Sequence, residues 1–208
     1  DPLLTPQQNA ARYYRQYTKA KTAEHYLRQQ MDIARRDLEY LESVLEELAR
    51  AETEQDFSEI RSELKEAGFL RGQGKGKKEV KRAFKPRTFR TNGGFLVLVG
   101  RNNRQNDKLT LKDADHRDLW FHTQKIPGSH TVILCQGKEP PNRTLEEAAV
   151  IAATNSRAKP GAKVPVDYTI IKNVRKPQGA KPGMVIYDSY QTAYVEPDEE
   201  RVKALLVK

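Results

Sequence analysis

One cysteine, Cys135, stands among 208 residues, so no internal disulfide and no thiolate zinc cluster can be built. That usage fits a reducing cytoplasm. Long apolar runs are missing as well. No stretch approaches the roughly 18 apolar residues that a membrane span requires, and Asp1-Pro2-Leu3-Leu4 is not expected to be a signal peptide. Histidine occurs only four times, which makes a histidine metal site thin. Neither an HExxH helix nor a Gly-x-Ser-x-Gly elbow occurs, removing two common hydrolase signatures. No glycine or proline lies between Gln7 and Glu66, which permits a long unbroken helix. The first residue is not Met, so the chain reads as part of a longer protein.

What is present is charge. Hydrophobic residues make up 37% and charged residues 31%, a poor ratio for one compact core and a good one for a solvated helix beside a core. The net charge is +9, unevenly placed. Residues 1–70 carry a net −4, residues 71–90 a net +8 and residues 91–208 a net +5. The positive excess past residue 70 points to an anionic partner, most naturally nucleic acid.

Three parts follow: a helical arm over 1–70, a basic linker over 71–88 and a globular domain over 89–208. In the arm, Ala10, Tyr13, Tyr17, Ala20, Leu27, Met31, Ile33/Ala34, Leu38, Leu41, Leu45 and Leu48 recur at gaps of three and four, interrupted only at Glu24. This heptad spacing predicts one helix from residue 6 to about residue 50, capped by Thr5-Pro6 and roughly 65 Å long at 1.5 Å per residue. A single helix cannot bury such a stripe. A shorter second helix follows, with Phe57, Ile60, Leu64 and Ala67 on one face, Asp56 near its start and Gly68 as its stop. Together they read as an antiparallel coiled-coil arm whose return helix is too short to cover the first. Either more helix lies upstream or the end of the arm is exposed. The Gly/Lys linker is a hinge, a cationic strap on phosphate, or both.

From Phe89 onward, short apolar runs predict strands at Phe95–Val99, Leu119–His122, Thr131–Cys135, Val164–Ile171, Met184–Tyr187 and Thr192–Val195. Helices are expected near Asp107–Ala114, at Leu145–Ala158 and from Pro197 to Leu206. The mixed order and late hairpins define an α+β class. Ala148, Ala149, Ala152, Ala153 and Ser156 form a small-residue face suited to close packing on the sheet.

Three segments hold candidate site residues. Asp118, Trp120 and His122 alternate, with His116 before them and Ser129-His130 after a Pro-Gly turn. This set admits a His/Asp metal site and a Ser129/His/Asp nucleophile. It more readily admits Asp118 orienting a turn or His122 while His130 caps a strand end. Trp120 with the histidines also suits a stacking surface for a nucleotide base. In Gly100-Arg101-Asn102-Asn103-Arg104-Gln105-Asn106-Asp107, Asn106 or Asp107 serves as a helix cap, and the arginines and amides suit phosphate and sugar. Lys172 to Gly183 places four cations (Lys172, Arg175, Lys176, Lys181) on a loop framed by two prolines and two glycines, a frame suited to phosphate.

These segments resemble the NFACT family along essentially the whole chain. Asn9-Ala10-Ala11-Arg12-Tyr13-Tyr14 through Lys21 resembles the opening of its coiled-coil arm. Gly100 to Asp107, Asp118 to Thr123, Ile126 to His130, Val166 to Thr169 and Asn173 to Pro177 resemble its RNA-binding module, NFACT-R. The resemblance implies ribosome-associated quality control. A full-length member binds the large ribosomal subunit holding a stalled peptidyl-tRNA, recruits alanine tRNA and directs mRNA-independent C-terminal alanine tailing. Peptide-bond chemistry there belongs to the ribosome, so neither an ordinary enzyme nor a metal or other cofactor is expected. The NFACT-N and helix-hairpin-helix domains and the Asp-Arg pair associated with tailing are expected upstream. The expected RNA-contacting set is Arg101, Asn102, Asn103, Arg104, Asp118, Trp120, His122, Ser129, His130, Lys172, Arg175, Lys176 and Lys181. A fibronectin- or fibrinogen-binding adhesin, from a label carried by some relatives, and a metal-dependent hydrolase or nuclease are the alternatives.

Overall fold

The computed structural model of the chain describes residues 1–71 and 85–207. Most of the expected Gly/Lys linker lies outside them. Helix α1 runs from Pro6 to Ala49. Thr5 and Gln8 close a reciprocal capping box: the Gln8 N–H donates to Thr5 Oγ1 at 3.3 Å and the Thr5 N–H to Gln8 Oε1 at 2.9 Å. Residues 1–39 form one unit and the second begins at Tyr40. Within the first, the apolar stripe stays exposed, Tyr13 at 66% and Leu27 at 58%.

In the second unit the end of α1 buries Tyr40, Val44 and Glu47, whereas Leu41, Leu45 and Leu48 of the expected stripe stay exposed. The packed face is therefore not the one the heptad spacing picked. Tyr40 and Val44 are buried against Ile60 of α2 (Glu54–Glu66), with Phe69 and Met184 at the margin. Thr53 and Asp56 cap α2 reciprocally. Gly68, at φ +83°, lets the Phe69 N–H turn back to the Leu64 carbonyl at 2.9 Å, as a left-handed helix stop requires. The unit that holds the sheet therefore begins at Tyr40, well before Phe89.

The sheet has six antiparallel strands in the order β1-β2-β4-β3-β5-β8: β1 Arg87–Arg90, β2 Leu96–Val99, β3 Leu119–Thr123, β4 Thr131–Leu134, β5 Val164–Ile170 and β8 Gln191–Val195. A second, two-stranded sheet pairs β6 (Val174–Arg175) with β7 (Ile186–Tyr187). Alternation assigns the two faces. Val97, Phe121, Ile133 and Val166 point to one side, where α4 (Asn142–Thr154) packs. Ala148, Ala149, Ala152 and Ala153 are all buried there, and α5 (Glu199–Leu205) completes that layer. Trp120 and Val132 point to the other side and meet Leu109, Ile171 and Val174.

Two local expectations are corrected. The helix placed near Asp107 starts at Asn103 as α3 (Asn103–Lys108), because the Asn102 side chain accepts the Gln105 N–H at 2.9 Å and so caps it. It then widens into a π-turn over Leu109–Asp113. Strands β1 and β6, short and bracketed by cations, carry no apolar run that marks them in the sequence.

Replacing Ala149 with Leu should drive a branched side chain into the sheet and destabilise the fold by about 1–3 kcal/mol. Urea unfolding is expected to show a lower midpoint at unchanged slope.

Candidate nucleic-acid interface

The Gly100–Asp107 segment faces inward, onto the helices. Asn102 Nδ2 and Gln105 Nε2 both donate to Glu59 Oε2 at 2.7 Å. Asn103 Nδ2 donates to Ser43 Oγ at 3.0 Å, and Asn106 Nδ2 reaches Glu47 Oε1 at 3.5 Å. Arg101 pairs with Asp56 at 3.4 Å, and Arg104 pairs with Glu66. Gly100 permits this closeness, since a Cβ there would lie 2.2 Å from Asn106 Oδ1. That same oxygen accepts the His130 N–H at 3.1 Å, tying the loop to β4. The amides and guanidiniums that suited phosphate meet carboxylates of the same chain.

This seam holds unusual acids. Glu47 and Glu63 are 2% and 1% exposed, and each leaves one carboxylate oxygen without a partner. Burial, then the neighbouring Glu63 charge, pushes the Glu47 carboxyl well above the usual carboxylate range. Burial raises Glu63 too, although the Tyr40 hydroxyl donates to it at 2.7 Å and Arg104 lies nearby. Asp56 behaves oppositely: burial opposes its ionisation, but Thr53 and the N–H groups of Glu52 and Thr53 outweigh that and lower it.

The Asp118–His130 segment is mainly architectural. Asp118 accepts the Asp115 N–H at 2.9 Å and the Cys135 N–H at 2.8 Å, fixing a turn and leaving His122 aside. Buried His130 meets Thr110 Oγ1 through Nδ1 at 2.8 Å and the Gly183 carbonyl through Nε2 at 3.2 Å. Burial, then His122, pushes its pKa down to about 3, so the ring is neutral at physiological pH. Ser129 is buried and its N–H donates to the Asn155 carbonyl. With His130 and Asp118 so engaged, acid, imidazole and serine form no relay. Among the described residues no three His, Cys, Asp or Glu side chains converge as a metal site. Trp120 is 1% exposed, so its ring is a core group and offers no open stacking face. His122 lies parallel on it at 5.7 Å, half-buried, with burial lowering its pKa.

The third segment divides. Lys176 pairs with Asp107, whose other oxygen accepts the Gly183 N–H at 3.1 Å. Lys181 lies over the Phe69 ring at 4.2 Å and the Tyr40 ring at 5.2 Å. Lys172 and Arg175 are exposed, Arg175 beside Asp188 at 2.9 Å. Two cations outside the expected set join them. The Lys172 N–H donates to the His116 carbonyl at 3.1 Å, placing exposed Arg117 alongside. The π-turn carrying exposed Lys112 packs on β6. Lys112 and Arg117 stand isolated in the sequence, so only the fold could add them.

The unit from Tyr40 onward is an α+β fold with exposed cations beside β6, and the comparisons give its family. Residues 85–189 match the family described as NFACT protein RNA binding domain, and residues 1–83 match NFACT N-terminal and middle domains. The chain belongs to the NFACT family. It is 45% identical over 205 residues to the Rqc2 homolog RqcH of Bacillus subtilis, covering 97% of this chain and 35% of that protein. To the Rqc2 homolog RqcH of Streptococcus suis it is 39% identical over 207 residues, covering 100% of this chain and 37% of that protein. The chain thus spans little more than a third of these relatives. The solved C-terminal part of a fibronectin/fibrinogen-binding protein from Streptococcus suis superposes with a TM-score of 0.85 at 38% identity, covering 97% of this chain and 80% of that one. No described helix is long and apolar enough to cross a membrane.

Glu47→Gln tests the seam. A carboxyl raised in the folded state contributes stability fully present below the ordinary glutamate pKa and lost as pH rises through the folded value. The variant should match the parent at low pH and exceed it at pH 8, by roughly 2–4 °C in Tm per kcal/mol relieved. Equal melting temperatures across pH 4–8 would show that Glu47 ionises freely.

Proposed function

We propose that this chain is the RNA-gripping part of a ribosome-associated quality control factor, one that holds tRNA against the large ribosomal subunit while alanines are added to a stalled nascent chain without mRNA. The observation that carries this reading is the match of residues 85–189 to the NFACT RNA-binding domain, together with relatives named RqcH along the whole chain. The chain positions RNA and leaves peptide-bond formation to the ribosome.

Phosphate contact falls to four exposed cations gathered beside β6: Lys172, Arg175, Lys112 and Arg117, the last also paired with exposed Asp115 at 3.2 Å. The division follows from energetics. The Arg175–Asp188 pair is 68% and 51% exposed, and such pairs contribute only about 0–1 kcal/mol, so phosphate displaces the carboxylate readily. Withdrawing Arg101 from Asp56, which is 7% exposed in that pair, would leave a buried charge uncompensated. Arg101, Asn102, Asn103, Arg104, Lys176 and Lys181 hold the domain together, and Asp118, Trp120, Ser129 and His130 hold its sheet.

If about four phosphates are neutralised, log affinity should fall with log salt at a slope of roughly −3. Lys172→Gln with Arg175→Gln should weaken binding to every tRNA alike and flatten that slope by about one to two units. Filter binding across a salt series checks both. Salt-independent binding, or an effect confined to one tRNA, would contradict the assignment. The name of the Streptococcus suis structure motivates a second reading, adhesion. Fibronectin capture by the purified chain, with no RNA retained, would favour it.

A further inference from the structure

With Trp120 buried, the aromatic groups packed on it lead outward to another residue. Trp120 packs on Tyr187, ring centroids 4.8 Å apart, and Tyr187 meets Tyr190 edge-on at 5.3 Å. Tyr187 is anchored: its hydroxyl donates at 2.8 Å to Asp167, a 1%-exposed carboxylate that also receives Thr192 Oγ1 at 2.7 Å. Tyr190 ends the row and is 47% exposed.

The turn that presents Tyr190 is held from both sides. Ser189 sits at φ +49°, a left-handed conformation uncommon for a residue with a side chain. Thr169 Oγ1 lies 3.3 Å from the Asp188 carbonyl and 3.1 Å from the Ser189 carbonyl, and is itself steadied by Asn173 Nδ2 at 2.9 Å. Arg175 grips Asp188 from β6. An aromatic ring is thus held half in water, buttressed by a second ring, on a turn flanked by Arg175.

We infer that Tyr190 is a stacking platform for one unpaired nucleobase of a bound RNA, with Arg175 and Lys172 on the adjoining phosphates. This inference rests on the RNA-binding reading above and adds the class of RNA feature recognised: a single-stranded or looped-out nucleotide, because a duplex base already has both faces covered. Every base has a π-face, so the contact tolerates sequence. It carries no charge, so it leaves the salt slope untouched.

The test measures binding of a fluorescent oligouridine and of an RNA duplex of equal length to the whole 208-residue chain. The parent is compared with Tyr190→Ala, Tyr190→Leu, Tyr190→Phe and the Lys172→Gln/Arg175→Gln pair, with thermal unfolding as the folding control. Both Ala and Leu variants should bind oligouridine about 5- to 150-fold more weakly at an unchanged salt slope, while Phe binds like the parent and duplex binding does not move. Parent-like oligouridine binding by both Ala and Leu variants, with the Lys172/Arg175 variant still weakened, would overturn the stacking role and leave the RNA reading standing. No RNA binding by the parent, or capture of a protein ligand through the same tyrosine, would overturn both.

Discussion

Carboxylates on the end of α1 and on α2 receive a row of donors from the loop between β2 and α3, and the rest of the unit that begins at Tyr40 is arranged around that contact. Glu59 takes Asn102 and Gln105, Asp56 takes Arg101, Glu47 takes Asn106, and Glu66 takes Arg104. A buried polar group without a partner costs about 1–3 kcal/mol, so the amides and acids are locked to one another by the penalty of separating them. Asn106 passes the constraint to β4 through the His130 N–H, and Asp107 passes it to the Lys176–Gly183 loop. One seam therefore aligns the helices, the sheet and the basic loop.

This arrangement sorts the cations. Charge alone cannot distinguish an arginine that grips RNA from one that neutralises its own chain. Depth and partner separate the cations committed to the fold from those left at the surface. Arg101 meets a well-buried carboxylate, and Lys181 rests on two rings. Lys172 and Arg175, on the opposite layer from α4, keep their charge where a polyanion can approach.

The large elements were legible in the sequence because their signals are local. The helical spacing from Tyr13 to Leu48, without glycine or proline, made α1 legible although not its buried face, which carries Tyr40, Val44 and Glu47, and Gly68 marked the end of α2. Alternating apolar runs located six strands within a residue or two. The α+β class followed from their order. What stayed hidden depends on partners distant in sequence. Asn102 reads like any loop amide until Glu59, on another element, accepts from it. Trp120 alternates with His122 as an exposed pair would, yet Leu109 and Val174 close over it. β6, two residues long, exists only because β7 pairs with it. The resemblance to the NFACT family identified the domain correctly, but shared residue identity does not separate those that build it from those that touch RNA.

The decisive measurement takes Arg101→Ala and Asn102→Ala and records, for each, both the melting temperature and the RNA affinity of the folded protein. Loss of about 1–3 kcal/mol of stability, or several degrees, is expected, with RNA affinity within about twofold of the parent. An unchanged melting temperature with affinity lowered tenfold or more would mean that this loop faces RNA after all.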